Sequence, residues 1–251
     1  MEQIHDLLEY ENLKIYQNND WFSFSLDSVL LAHYATVPIR TYRILDLCTG
    51  NAPIPLILSR RTKAHIDAVE IQKDVAELAE KSVEINHLET QITVIPQSAQ
   101  EFQKSCESDT YDLITCNPPY FKDIPDATKN LDIHKTLARH EVTITLEEIL
   151  KIVRKLLKNN GTFAIVHRAE RLPELLSLFE KYNITPKRLR LIYPHLDREA
   201  NMLILEGTKN GHPGLKILSP ILVHKDDGSY TDEILEIFKG RDTNESEKLS
   251  G

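Results

Sequence analysis

Arg43-Ile44-Leu45-Asp46-Leu47-Cys48-Thr49-Gly50-Asn51-Ala52-Pro53 is the stretch that decides the fold. Residues 43–47 read as a short, mostly apolar β-strand. Pro53 opens an apolar run to Arg61 that reads as a helix, with proline in the first turn, where its missing N–H costs nothing. Strand, tight turn and helix form the unit from which parallel sheets are wound, and here the unit recurs. His65 to Glu70 reads as a strand, followed by a helix from Gln72 to Asn86 with Val75, Leu78, Ala79, Ser82, Val83 and Asn86 at helical spacing. Gln91 to Ile95 and Tyr111 to Cys116 read as strands around a weaker helical stretch from Gln100 to Cys106. The clearest helix runs from Thr145 to Lys158. Leu146, Ile149, Leu150, Val153, Leu156 and Leu157 form its stripe, and Asn159-Asn160-Gly161 reads as its stop. Thr162 to His167 (strand), Arg171 to Tyr182 (helix) and the strands Arg188 to Tyr193 and Asn201 to Glu206, paired antiparallel, close the pattern. The expectation is an α/β fold: a doubly wound, seven-stranded, mostly parallel sheet with one antiparallel strand near the C-terminus.

The chain has 251 residues, 38 acidic against 30 basic side chains and 41% apolar residues. That is ample for one large core and excludes collagen-like, disordered and disulfide-scaffold classes. No apolar run approaches the ~20 residues of a membrane span, and Met1 to Asp6 lacks the basic start of a signal peptide. A cytoplasmic protein with no membrane contact is expected. Cys48, Cys106 and Cys116 are an odd, widely spaced set without a C-x-x-C pair, so they read as reduced, buried thiols and no metal site is expected. Around the unit at 43–210 stand a prelude, 1–42, and an extension, 211–251. The prelude holds an aromatic turn from Trp21 to Phe24 that leads into an apolar helix capped by Ser25 or Asp27. In the extension, Leu215, Ile217, Leu218, Ile221, Leu222 and Val223 would cover the last strand or meet a partner; the tail from Arg241 is polar and reads as frayed.

The loop 46–53 sits where nucleotide-like ligands bind such sheets, because backbone N–H groups and a helix dipole meet there. Gly50, the only glycine before Gly161, would by itself mark only a tight turn. Glu70 closes the next strand, 24 residues after Asp46, where a carboxylate can accept both hydroxyls of a ribose. The fourth strand ends in Asn117-Pro118-Pro119-Tyr120. A side-chain carbonyl on Asn117, a main-chain carbonyl on Pro118, a backbone stiffened by two prolines and a flat ring at Tyr120 suit a planar amino or amide group with two N–H donors. Accepting both bonds turns the nitrogen lone pair out of its π system and toward an electrophile.

The loop, Glu70 and Asn117 to Tyr120 together resemble the class I, Rossmann-like S-adenosylmethionine-dependent amino-methyltransferases. From about residue 5 to 240 the chain resembles, more narrowly, the bacterial adenine-N6 methyltransferases of valine tRNA, and especially their Gram-positive branch. Phe22 to Ser28 and Ala138-Arg139-His140-Glu141 belong to that resemblance. It implies S-adenosylmethionine as cofactor and tRNA as partner. It also implies that Asp46, Cys48, Thr49, Gly50 and Asn51 follow the methionine end of the cofactor, with Glu70 on its ribose and Ile71 against its adenine. Asp27 and Ser28 would close that pocket. Asn117, Pro118 and Pro119 would hold the target amine, Tyr120 would stack on the base, and Phe121, Arg139 and His140 would lie on the substrate side. Two positions depart from the pattern. Ala52 stands where such families usually have glycine, and Ser98 where an acid usually takes the cofactor's adenine amine.

Only residues 141–200 carry more basic than acidic side chains, eleven against eight. Lys187, Arg188 and Arg190 are the candidate RNA cluster, and Lys151, Arg154, Lys155 and Lys158 share one helix face. His167 and Arg168 would either reach substrate or finish a loop. A protein-glutamine methyltransferase fits the same two acceptors but usually carries a larger N-terminal domain, and a DNA amino-methyltransferase a target-recognition region. A non-catalytic RNA-binding relative is the alternative that Ala52 and Ser98 suggest.

Overall fold

The computed structural model describes residues 2–7, 12–18, 25–119 and 144–241. The parallel core runs β3 (Arg43–Leu47), β4 (His65–Glu70), β5 (Ile92–Pro96), β6 (Tyr111–Cys116) and β7 (Leu157–Arg168). It is joined by α2 (Pro53–Arg61), α3 (Lys73–Ile85), α4 (Ala99–Ser105) and, ahead of β7, α5 (Leu146–Leu156). After β7 come α6 (Leu172–Lys181), β8 (Ile184–Tyr193) and β9 (Met202–Lys209). The spatial order is β5-β4-β3-β6-β7-β9-β8, with β9 antiparallel to both neighbours. Two further strands, β10 (Lys216–Ile217) and β11 (Ile221–Leu222), run parallel along the outer edge of β8, so that the main sheet has nine strands among the described residues rather than seven. The extension thus covers the outer edge of β8 rather than β9, the last strand in the sequence reading, and Leu215 and Ile217 stay exposed. Ile221, Val223 and, from α7 (Asp232–Phe238), Ile234 and Ile237 join the core.

Alternate strand residues feed two cores, as the two-residue period of a strand requires. Ile44, Ile66, Leu113, Ala164 and Ile204 pack against α1 (Leu26–Tyr34) and α2. Leu45, Ile114, Phe163, Ile165 and Leu205 pack against α4, α5 and α6. The α5 stripe lies on this second core as its periodicity predicts, and Thr145 and Glu148 start the helix with a reciprocal capping box. Its end is a correction: α5 stops at Leu156, and Asn159-Asn160-Gly161 is a bulge inside β7, not a helix stop. Tyr111 pairs with Leu157 but Leu113 with Thr162, and Asn160 takes φ 63°. A side chain at Gly161 would come within 2.9 Å of the Lys158 carbonyl oxygen, so the bulge needs glycine.

The prelude contains a hairpin, β1 (Glu2–Asp6) and β2 (Lys14–Asn18), that the sequence pattern does not announce. Leu7, Leu13 and Ile15 are fully buried. Its outer edge docks on α3. Lys14 N donates to Asn86 Oδ1 (2.9 Å), Asn86 Nδ2 donates back to Lys14 O (2.6 Å), and Tyr16 N donates to Ser82 Oγ (2.9 Å). Ser82 and Asn86, read as part of the helix stripe, are polar because they take a strand edge.

Candidate active site

The carboxyl ends of β5, β4, β3 and β6 lie side by side, and β3 stands where the strand order reverses, the place at which such a sheet opens a crevice. Asp46, near the end of β3, is fully buried. Its Oδ2 accepts from Thr49 Oγ1 and its Oδ1 from Thr115 Oγ1 on β6, both at 2.6 Å. Burial pushes this carboxyl up to about 7, the hydroxyl bonds oppose the shift, and the nearby Glu70 charge adds to it. Glu70, at the end of β4, accepts from Gly50 N through Oε2 and from Gln72 N through Oε1, each at 2.9 Å. Burial raises its pKa, and these amides offset part of that rise.

The loop between β3 and α2 takes positive φ at Cys48 (59°), Gly50 (60°) and Ala52 (70°). The alanine is therefore left-handed in the position where a glycine would be unstrained, and its methyl is fully buried. A left-handed L-residue costs about 1–2 kcal/mol, so the loop holds strain at two positions. Thr49 N donates to Val69 O (3.0 Å), which pins the loop to β4. Asn51 is fully buried; its Nδ2 donates to Tyr16 O in the hairpin (2.8 Å), while its Oδ1 has no partner among the described residues. Ile71 is 37% exposed directly after Glu70. Ser98 follows β5 and caps α4 by accepting from Glu101 N (3.1 Å), which occupies one lone pair of the oxygen expected to face a cofactor amine.

Asn117 follows β6, with Pro118 buried and Pro119 half-buried behind it. Its Nδ2 donates to Ser28 Oγ at 2.8 Å and toward Ser25 Oγ at 3.4 Å. Ser25, not Asp27, is the N-cap of α1, and Asp27 lies in the first turn. Cys48 and Cys116 are neighbours, since Leu47 pairs with Cys116 across β3 and β6; burial, then the Cys48 thiol, raises Cys116. Cys116 is buried as expected, whereas Cys48 and Cys106 are half-buried. Tyr120, Phe121, Arg139, His140 and the aromatic turn Trp21 to Phe24 lie outside the described residues.

The basic cluster is a correction, because Lys187, Arg188 and Arg190 do not form one surface. Arg190 is 5% exposed, lies over the Tyr34 ring (4.3 Å) and donates to Ser219 O (3.0 Å). Arg188 donates to Thr36 Oγ1 (2.6 Å) beside the buried Glu206, while Lys187 reaches His212 O (3.1 Å). On α5 and just beyond it, Lys155 is bonded to Gln103 O and Lys158 to Asp112 (2.7 Å), so those cations also serve the fold. His167 finishes β7: its Nδ1 accepts from Arg168 N (2.9 Å), and burial drives its pKa down to about 4. Among the described residues no helix is long and apolar enough to cross a membrane, and no three His, Cys, Asp or Glu residues form a group that could hold a metal ion. Thr115 and Tyr16 are parts of the site that no motif marks, and Ser25, expected only as a helix cap, also stands beside Asn117. A hydroxyl at the penultimate position of the apolar strand 111–116 was the available signal for Thr115.

A methyltransferase-domain family model matches residues 40–216. The tRNA1(Val) (adenine(37)-N6)-methyltransferase of Parabacteroides distasonis is 31% identical over 198 residues, covering 79% of this chain and 81% of that protein. The chain belongs to the tRNA1(Val) (adenine(37)-N6)-methyltransferase family. At the level of fold, this family member resembles a predicted O-methyltransferase of Agrobacterium tumefaciens (TM-score 0.67, 18% identity, 86% of this chain and 97% of that one). It also resembles TYW2 from M. jannaschii, solved in complex with AdoMet (TM-score 0.56, 12% identity, 82% of this chain and 84% of that one).

Proposed function

We propose that this chain transfers a methyl group from S-adenosylmethionine to the exocyclic N6 amine of an adenine in tRNA, in valine tRNA next to the anticodon. The observation that carries the reading is Asn117, held by α1 hydroxyls at the crevice with two prolines behind it and the Asp46–Glu70 loop alongside. The residues present fit the cofactor. Asn51 Oδ1 is a buried acceptor with no donor among the described residues, the Glu70 oxygens keep lone pairs for ribose hydroxyls beyond their amide bonds, and exposed Ile71 offers an apolar face for an adenine. Asp46 and Thr49 organise the loop's turn, and Cys48 and Gly50 shape its backbone. Asp27 and Ser28 border the crevice from α1, and Ser98 offers its second lone pair.

When bound, S-adenosylmethionine supplies a methyl on a sulfonium, an electrophile. Asn117 Oδ1 and the Pro118 carbonyl would accept the two N6–H bonds, turning the lone pair toward that carbon and stabilising the positive charge that grows on nitrogen. The rigid Pro118-Pro119 pair keeps the carbonyls aimed, and Tyr120 and Phe121 would stack on a base flipped out of its strand. Arg139, His140 and Lys187 are the RNA contacts this reading retains; Arg188 and Arg190 would act through the sheet edge they build. The same reading takes 1–42 as a prelude, 43–210 as the catalytic domain and 211–251 as an extension, and sets the work in the cytoplasm, where tRNA is. Asn117→Ala tests it. Turnover should fall at least 100-fold while S-adenosylhomocysteine binds within about twofold of wild type; full turnover would remove Asn117 from the mechanism.

A further inference from the structure

A carboxamide has two ends of nearly equal shape and opposite polarity. An amine with two N–H donors needs the Asn117 oxygen; rotated by half a turn, the side chain would meet that amine with its own NH2, donor against donor. Nothing in Asn117-Pro118-Pro119 selects between the two orientations. A contact that can select lies 89 residues upstream: with its proton directed at Ser25 Oγ, 3.5 Å away, the Ser28 hydroxyl meets Asn117 as an acceptor, which suits the amide NH2 and not the amide oxygen. Ser28 Oγ takes Nδ2 at 2.8 Å, and Ser25 Oγ stands 3.4 Å from the same nitrogen. Ser28 is 6% exposed, and its own backbone N–H donates to Ser25 Oγ (3.4 Å), so both hydroxyls are anchored by the first turn of α1.

Resting on the reading of Asn117 as the target-amine acceptor, we propose that Ser28 is a positioning residue for that acceptor, holding the carboxamide nitrogen so that Oδ1 faces the substrate. This assigns the Ser28 hydroxyl to the target amine rather than to the cofactor. It also gives the prelude a catalytic purpose: the helix that precedes β3 sets the orientation of a group that follows β6.

The test uses the full chain with tRNA and measures kcat, KM and S-adenosylhomocysteine affinity. Ser28→Ala should lower kcat at least 10-fold and leave cofactor affinity within twofold, and Ser28→Thr, which keeps the oxygen, should return kcat to within threefold of wild type. The decisive background is Asn117→Asp, whose two oxygens are equivalent and need no orientation; there Ser28→Ala should change kcat less than twofold. Equal losses in both backgrounds, or a kcat loss matched by an equal loss of cofactor affinity, would overturn the proposal. If the aspartate variant turns over too slowly to measure, failure of Ser28→Thr to rescue would overturn it. Full activity of Asn117→Ala would instead overturn the reading of Asn117 on which the proposal rests.

Discussion

Replacing Asp46 by asparagine should make the protein more stable at alkaline pH. Asp46 is fully buried, and its carboxyl is pushed from an ordinary 3.8 up to about 7. The folded chain therefore prefers the protonated acid. The penalty is absent below pH 3.8, builds as pH rises toward 7 and is constant above it, reaching about 4 kcal/mol. Between pH 5 and pH 8 this group alone should cost the wild type roughly 2.5 kcal/mol of unfolding free energy. Asparagine has no charge to bury. Thr49 and Thr115 can keep their bonds to it, because one hydroxyl can donate to the amide oxygen while the other accepts from the amide nitrogen. Removing the Asp46 charge also eases ionisation of Glu70, which acts in the same direction. Urea unfolding of both proteins at pH 5 and pH 8, without cofactor, reads the difference. Parallel pH dependences, or a variant less stable than wild type at pH 8, would refute this account of the Asp46 pocket.

Glu70→Gln removes a charge-assisted bond to Gly50 N and the proposed ribose acceptor, so S-adenosylhomocysteine affinity should fall at least 10-fold by calorimetry; an unchanged affinity contradicts the assignment. Arg190→Ala should destabilise the fold by about 2–3 kcal/mol, because the guanidinium packs on Tyr34 and bonds Ser219 O. Lys187→Ala should stay within about 0.5 kcal/mol of wild type, so equal melting points for these two variants would show that the β8 cations are not divided as described.

The strands and helices around β3 were legible because their apolar periodicities are fixed by the faces they bury, and Glu70 and Asn117 because each ends a strand beside the crevice. The hairpin was not. Two five-residue strands carry little pattern of their own, and they hold because Ser82 and Asn86 on α3 take the edge of β2. The Lys187-Arg188-Arg190 cluster misled because neighbours along a strand are not neighbours on a surface; Arg188 and Arg190 turn toward Thr36 and Tyr34. Asn159-Asn160-Gly161 carries the composition of a helix stop, but pairing with β6 makes it a bulge. The bond from the Asn117 amide to Ser28 spans 89 residues, and no local motif encodes it. The strain at Ala52 could be anticipated, since its position favours glycine and the chain offers none there.

Methyl transfer from labelled S-adenosylmethionine to tRNA purified from cells lacking this protein, followed by nucleoside mass spectrometry, tests reaction, cofactor and substrate together. Label is expected in N6-methyladenosine, at one adenine of valine tRNA. No label in any nucleoside, while a control methyltransferase labels the same tRNA, would contradict the proposed function.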